Sequence, residues 1–582
     1  MRQLIVCCDG TWNTAEDRAI TNVRRLYNAL AEKDENDNPQ LAYYQPGVGT
    51  MRNRLIGGGT GLGLSRNVMD AYLWLTTRYE PGDQISLFGF SRGAYTARSL
   101  AGMISACGLI DTTKTDEQAI RPQLRRLYQQ GYRQRGRRNT QWRDGLTFRW
   151  DADDAKNIPI RFIGVWDTVG ALGVPDYLGV LEMLDRPHRF HDLRLNPHIR
   201  FARHALAMDE RREPYQPTLW AEPYGPEQDV LQVWFPGSHK DVGGGHPERG
   251  LSDGALRWMI DEARELIKLG FHKETVEDQI DPDPLDVMHD DELGAIGVLD
   301  QVVDPMLKPV REMLLRPRPR AVPRIDPHAP TRIIHESVYE RHQRPPITSG
   351  AYRPTRVLAP GQERTVEVFA HEPWNETGLY LEPGEYRFIA DGMWQDGDIM
   401  AGPEGTSGLD LLNPMRERLR LLSTLWGGGE RLFRMITRNA AAGFIGARRE
   451  GDLPWMSLVG VIANDAVSIK SRDGMRHAHE RIPIGIGTRC HVTKGGYLYA
   501  YANDAWGLYG NNQGSVRLTV ARLVADEPHT VLTHASLAHT LGGNAGSDMG
   551  GGNSDGGART VAGGRRTGAG AAGRVRREVQ EA

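Results

Sequence analysis

Cysteine is scarce, with Cys7, Cys8, Cys107 and Cys490 the four in 582 residues. Spread this thinly, they offer neither metal-ligand spacing nor the disulfide framework of a small secreted domain, which fits synthesis in a reducing cytoplasm. Long hydrophobic runs are also missing. Nothing approaches the roughly 18 apolar residues of a membrane span, and the apolar stretch at 4–8 is too short for a signal peptide and lacks a cleavage site. The expectation is a soluble chain made in the cytoplasm without signal peptide or transmembrane segment, with export by a signal-independent route left open. An excess of one charge sign is absent too: 71 basic and 74 acidic residues leave a net charge of −3. Nothing global therefore points to nucleic acid, and no nucleic-acid partner is expected. The length exceeds what one core supports, so two or three domains are expected.

What is present begins with Gln84-Ile85-Ser86-Leu87-Phe88-Gly89-Phe90-Ser91-Arg92-Gly93-Ala94. An apolar, strand-like run enters G-x-S-x-G and leaves through a helix-permissive segment, the context a nucleophile elbow requires. The flanking glycines remove Cβ atoms that would clash in so sharp a bend. The helix behind adds N–H groups and a dipole that favour an oxyanion. G-x-S-x-G alone is common; the strand and helix around it carry the reading.

Short apolar runs at 4–8, 41–45, 85–89, 160–166 and 230–235 alternate with helical spacing at 22–31, 66–79, 95–106 and 252–269, the pattern of a mostly parallel sheet with helices on both faces. Ligands in such sheets bind beyond the carboxyl ends of the strands. Asp9, Ser91, Asp167 and His239 all fall there. From 281 to about 356 proline, acid and arginine dominate, including Arg316-Pro317-Arg318-Pro319-Arg320, which reads as an extended lid or a wrapping between domains. After 361 short alternating runs with turn signals predict a β-sandwich, interrupted at about 406–452 by a basic amphipathic helical insertion that either packs on the protein or lies on a membrane surface. The glycine-rich tail is expected to be disordered. The expected domains are thus 1–360, 361–525 and the tail 526–582, in an α/β-hydrolase-like fold plus a C-terminal β-sandwich.

A serine hydroxyl needs a base to take its proton, and the base needs a carboxylate to hold its tautomer. In the chain order Ser, Asp, His used by α/β-hydrolases, Asp167 stands at the end of the 160–166 strand and His239 in the loop Trp234-Phe235-Pro236-Gly237-Ser238-His239-Lys240-Asp241-Val242-Gly243-Gly244-Gly245. His204 reads as a structural histidine in a helical run. His246, and Asp241 or Asp253 as orienting acid, remain rivals. For the oxyanion hole the backbone N–H of Arg92 is the default donor, with a second from the loop Asp9-Gly10-Thr11, at Gly10 or Thr11. The run Gly57-Gly58-Gly59-Thr60-Gly61-Leu62-Gly63 lacks the Gly-Lys-Ser/Thr of a phosphate loop and reads as a mobile loop near the site.

Together these blocks, with Cys8-Asp9-Gly10-Thr11-Trp12-Asn13, Thr21-Asn22-Val23, Trp166-Asp167-Thr168-Val169-Gly170 and His204-Ala205-Leu206-Ala207-Met208-Asp209-Glu210-Arg211, resemble a bacterial α/β-hydrolase family best known for phospholipase effectors of type VI secretion. The resemblance spans roughly residues 1–360 and implies Ser91, Asp167 and His239 as the triad, a phospholipid substrate, and secretion-apparatus and immunity proteins as partners. Fold transfers more safely than substrate.

The stretch 499–515 is similar to the calcium loop of a galactophilic bacterial lectin with a β-sandwich fold. That resemblance implies Ca2+ ligands at Asp504, Asn511, Asn512, the carbonyl of Leu508 and a carbonyl of Asp396; the lectin's sugar-contacting side chains have no counterparts that can be placed. No cofactor is required for the triad. The function expected is a serine ester hydrolase of phospholipid acyl esters, brought by the sandwich to a membrane or glycan surface. The alternatives are a calcium-dependent glycan-binding protein on a non-catalytic hydrolase scaffold, and an esterase of soluble substrates.

Overall fold

The computed structural model describes residues 1–10, 20–47, 62–113, 117–134, 140–152, 159–169, 194–290, 317–406, 449–471, 474–506 and 508–524. The glycine run at 57–63 falls mostly outside them, and the amphipathic insertion and the tail almost entirely. The first half runs β1 (Gln3–Cys8), α1 (Asn22–Ala29), β2 (Gln40–Gln45), α2 (Leu62–Arg78), β3 (Gln84–Phe90), α3 (Arg92–Cys107), β4 (Leu109–Ile110), α4 (Glu117–Arg126), β5 (Phe148–Trp150), β6 (Ile160–Trp166), β7 (Phe201–Ala207), β8 (Asp229–Phe235), α5 (His239–Gly243), α6 (Gly250–Ile267), α7 (Lys273–Gln279) and α8 (Glu336–Gln343). Six of its strands form one parallel sheet in the order β2-β1-β3-β6-β7-β8.

The near-continuous apolar strands suit a sheet buried on both faces, and alternation divides each strand between two cores. Leu4, Val6 and Cys8 of β1, with Leu87 and Val165, pack against α2 and α3. Ile5 and Cys7, with Phe88, Phe162 and Trp166, pack against α1 and α6. One expectation is corrected: the run around His204 is the interior strand β7, not a helix. Its alanines favour helix in isolation, but pairing between β6 and β8 with nearly complete burial overrides that weak preference.

The second half is antiparallel: β9 (Glu363–Phe369), β10 (Asn375–Leu381), β11 (Gly384–Asp396), β12 (Ile399–Ala401), β13 (Leu458–Ser471), β14 (Gly474–Pro483), β15 (Gly487–Val492), β16 (Gly496–Ala502) and β17 (Asn512–Arg522). One sheet runs β10-β16-β13-β14 and the other β12-β11-β17-β9, with β15 paired to β11. Phe388, Trp394, Leu458, Leu498 and Leu518 fill the space between them, so the architecture is an α/β-hydrolase-like domain joined to a β-sandwich. Residues 317–356 lie between the two: Val322, Ile325, Ile334 and Val338 share a core with Leu206, Met208 and Trp234 of the parallel-sheet half and with Ala463, Tyr497 and Tyr499 of the sandwich. Residues 1–527 form one compact unit. Among the described residues no helix is long and apolar enough to cross a membrane.

Candidate active site

Ser91 sits alone between β3 and α3 with φ 56° and ψ −123°, a conformation non-glycine residues rarely adopt. Holding a residue there costs about 1–3 kcal/mol, so the surroundings must impose it. They do so through contact. A Cβ on Gly89 would lie 2.6 Å from the Gly93 carbonyl oxygen, and one on Gly93 would overlap the Cys8 carbonyl. Only glycine at both places lets α3 fold back over the strand ends. The Ser91 N–H donates to the Trp166 carbonyl at 3.1 Å, tying the elbow to the strand that ends at Asp167.

His239 opens α5, whose N-terminus is closed by a capping box between Ser238 and Asp241. Its Nδ1 lies 2.6 Å from Asp167 Oδ2. Its ring is flanked by Phe90, centroids 4.6 Å apart, and by the edge of Tyr215 at 4.9 Å. Gly243 after it is required by Phe90, whose ring a Cβ there would overlap. The other nitrogen, Nε2, is buried and makes no hydrogen bond to Ser91 or to any other group among the described residues. Catalytic hydrogen bonds are often long in unliganded enzymes and tighten only with substrate.

Asp167, itself at φ 34°, is fully buried. Burial alone would raise its pKa, but the charge of Arg320 and the His239 hydrogen bond outweigh that and hold the carboxyl well below the usual range. Arg320, equally buried, bonds both oxygens, Nη1 to Oδ1 at 2.7 Å and Nη2 to Oδ2 at 2.9 Å. The Ala207 N–H adds a third donor at 3.1 Å. Asp167 is thus an ionised acceptor whose position is fixed from three directions.

Of the rivals, His204 accepts the Thr168 N–H at 3.0 Å, and burial lowers its pKa to about 3, so it is a neutral structural histidine. Asp253 pairs with Arg25, and Asp241 pairs with His289. His246 stacks on His289. Asp167 is accordingly the carboxylate brought to His239. Around the expected oxyanion donors, Arg92 is the first residue of α3, whereas the Gly10 N–H is directed to Asp9 Oδ1 at 2.6 Å. Thr11 lies outside the described residues. Asp9 also accepts from Thr21 and Tyr44, at 2.7 and 2.6 Å.

Sequence reasoning missed Arg320 and Glu210. Glu210 is buried, chelates Arg212 through 2.9 and 2.6 Å bonds, and accepts the His239 N–H at 3.3 Å. Arg212 in turn stacks over the Tyr215 ring that touches His239. A buried acid at a strand end signals that some cation must approach it, but nothing local says which.

In the sandwich, the residues of the 499–515 loop converge with Asp396. Asp504, fully buried, accepts from Asn512 Nδ2 at 2.9 Å, and Asn511 Nδ2 donates to Asp396 Oδ1 at 2.6 Å. Asp396 and Asn512 are direct partners across β11 and β17. Asn512 Oδ1 is buried without a hydrogen bond among the described residues, so the cluster there holds an unused oxygen beside a buried carboxylate. The Leu508 carbonyl accepts the Asn511 N–H at 3.4 Å.

Residues 2–262 match the family "T6SS, Phospholipase effector Tle1-like, catalytic domain". The resemblance expected from the motifs is thus found over the region that contains Ser91, Asp167 and His239. A curated relative, "Uncharacterized protein YEL023C" of Saccharomyces cerevisiae (strain ATCC 204508 / S288c), is 29% identical over 245 residues, which are 39% of this chain and 34% of the relative. The chain therefore spans about a third of that relative's length. Three solved structures are similar in part. "Crystal structure of an uncharacterized protein from Pseudomonas aeruginosa" has 17% identity and a TM-score of 0.31 over 54% of this chain and 52% of that one. "Structure of the Tle1 effector bound to the VgrG spike from the Type 6 secretion system" has 19% identity and a TM-score of 0.26 over 42% and 52%. "EclA N-terminal domain; PllA-like lectin" has 19% identity and a TM-score of 0.16 over 27% and 94%.

Proposed function

We propose that the chain is a serine hydrolase that releases fatty acid from phospholipids and is delivered as a type VI secretion effector. The observation that carries the chemistry is the buried His239–Asp167 pair at 2.6 Å, with Nε2 unengaged and the Phe90 ring, one residue before the elbow serine, packed on the imidazole. Ser91 Oγ adds to the acyl carbonyl while His239 Nε2 takes its proton, and Asp167 stabilises the imidazolium. The Arg92 N–H at the start of α3 donates to the oxyanion. Collapse expels the lysolipid alkoxide, which takes the proton from His239, and leaves an acyl-enzyme. Water then adds to the acyl carbon with His239 again as base, freeing the fatty acid and restoring Ser91.

The match of residues 2–262 to the Tle1-like family supports this substrate class and route of export. On this reading the partners are a component of the secretion spike and an immunity protein, and the sandwich brings the active site to a membrane or glycan surface. Calcium fits the sandwich cluster, because oxygen donors of carboxylate, amide and carbonyl type meet there and Asn512 Oδ1 lacks a partner. Asp504, Asn511, Asn512 and the carbonyls of Leu508 and Asp396 would hold it, and the ion would supply loop rigidity.

Fluorophosphonate labelling and fatty-acid release from phospholipid vesicles test the proposal. Ser91→Ala should abolish labelling and lower turnover by about 10³-fold or more. Asp504→Ala should remove calcium-linked thermal stabilisation or surface binding while sparing hydrolysis of soluble esters. Absence of labelling in the wild type, together with calcium-dependent retention on glycan, would favour a glycan-binding protein instead.

A further inference from the structure

We propose that Asp241, His246 and His289 bind a divalent first-row transition-metal ion of the zinc type, with Glu248 orienting His289, and that the ion fixes the short helix α5. One ligand atom from each of the three residues lies within 4.8 Å of those from the other two. Tetrahedral ligands about 2.0–2.1 Å from zinc are about 3.4 Å apart, so a side-chain rotation that turns the His246 ring out of its stack on His289 closes the set. Two imidazoles with carboxylate are donors that suit zinc and its neighbours rather than calcium or magnesium.

The hydrogen bonds point the same way. Asp241 Oδ2 is engaged by the Ser238 N–H at 2.9 Å, the Ser238 hydroxyl at 3.1 Å and the His289 N–H at 3.0 Å, which leaves Oδ1 aimed at His289 Nδ1 at 2.7 Å. The other ring nitrogen of His289 lies 3.1 Å from Glu248 Oε2. A neutral imidazole has one N–H and one lone pair, so with a carboxylate at each nitrogen one contact is repulsive unless a further cation stands there. An added proton is one such cation, and a metal ion held by His289 together with the His246 ring beside it, centroids 3.8 Å apart, is the other. The Nε2–H bonded to Glu248 sets the tautomer that turns the Nδ1 lone pair to the ion, the relay that metal-bound histidines usually have.

The ion would join three segments. Asp241 belongs to α5, His246 and Glu248 to the loop behind it, and His289 to the stretch whose Asp286 accepts the Gly250 N–H at 2.7 Å. Because His239 opens the same helix, the ion would also steady the imidazole. That last consequence rests on the hydrolase reading; the metal site does not.

The test uses the full chain, stripped by a chelator and titrated with Zn2+ alone, with elemental analysis and calorimetry as readouts. One Zn2+ per chain is expected in the wild type and in Asp504→Ala, none in His246→Ala or His289→Ala, and about 10–100-fold weaker binding in Glu248→Gln. Circular dichroism of His246→Ala guards against a merely unfolded result. Equal Zn2+ binding by the wild type and both histidine variants, or none by the folded wild type, overturns the site. Fluorophosphonate labelling of Ser91 in the same samples should speed up several-fold with Zn2+. An unchanged rate overturns the steadying of α5, whereas absent labelling with Zn2+ bound overturns only the hydrolase reading.

Discussion

Two buried aspartates in this molecule each face the Nδ1 of a histidine at nearly the same distance, Asp167 to His239 at 2.6 Å and Asp241 to His289 at 2.7 Å. Their pKa values are shifted in opposite directions. Burial would raise Asp167, but the guanidinium of Arg320 overrides it and keeps the carboxylate ionised. At Asp241 burial prevails over the donors of Ser238 and His289, and the pKa stands above its ordinary value. A histidine alone therefore does not set the direction in which a buried acid's pKa moves. The decisive group at Asp167 is an arginine 153 residues away in the chain, and it makes the pair a fixed anionic acceptor suited to orient a base.

Removing that arginine should erase the difference, and it is the largest effect expected. Arg320→Met leaves Asp167 buried without its countercharge, which costs about 3–5 kcal/mol. The folded-state pKa of Asp167 is depressed, so its contribution to stability is present above the unfolded value near about 3.9 and is lost as pH falls through the folded value. In Arg320→Met burial pushes the folded value up instead. The gap between the two proteins should be widest at neutral pH and narrow as pH falls through the carboxylate range. Urea denaturation at pH 7 and pH 4 measures it; a gap below about 1 kcal/mol at pH 7, or one equal at both, contradicts the role given to Arg320.

A smaller change should disturb one pair and leave the other. A Cβ on Gly243 would overlap the Phe90 ring, and Phe90 packs on His239. Overpacking of this kind costs about 1–3 kcal/mol. Gly243→Ala should therefore lower ester turnover together with stability, whereas Phe90→Leu in the same background should recover much of both. Failure of the second change to rescue would place the fault elsewhere than the ring contact.

The contrast between the pairs also marks where sequence reading stopped. The elbow, the sheet and the strand-end position of Asp167 were legible because each rests on neighbours in the chain: glycines beside a serine, apolar runs, an acid after a strand. β7 was misread because its alanine, arginine and histidine composition imitates a helix, and only the flanking strands override it. Arg320 was read as part of an extended proline-arginine run, correctly non-helical, yet its partner lies across the fold. The same holds for His289, 48 residues from Asp241, and for the Glu210–Arg212–Tyr215 chain of contacts behind His239, whose sequence block was recognised without a role for its residues.

The smallest expected effect concerns how the sandwich holds the segment that delivers Arg320. Arg318 bonds Asp465 at 2.6 Å, and His479 Nε2 donates to the Pro319 carbonyl at 2.7 Å while its Nδ1 accepts the Asp465 N–H at 3.3 Å. The Arg318–Asp465 pair is partly open to solvent, where such pairs contribute about 0.2–1 kcal/mol. Asp465→Asn keeps the backbone N–H and removes only the charge, so stability should fall by less than about 1 kcal/mol. Because Arg320 remains buried against Asp167 on the other side of Pro319, ester turnover should stay within about threefold of the wild type, a change under about 1 kcal/mol. A loss comparable to that of Arg320→Met would mean instead that the sandwich, through this one carboxylate, sets the position of the arginine that fixes the Asp167–His239 pair.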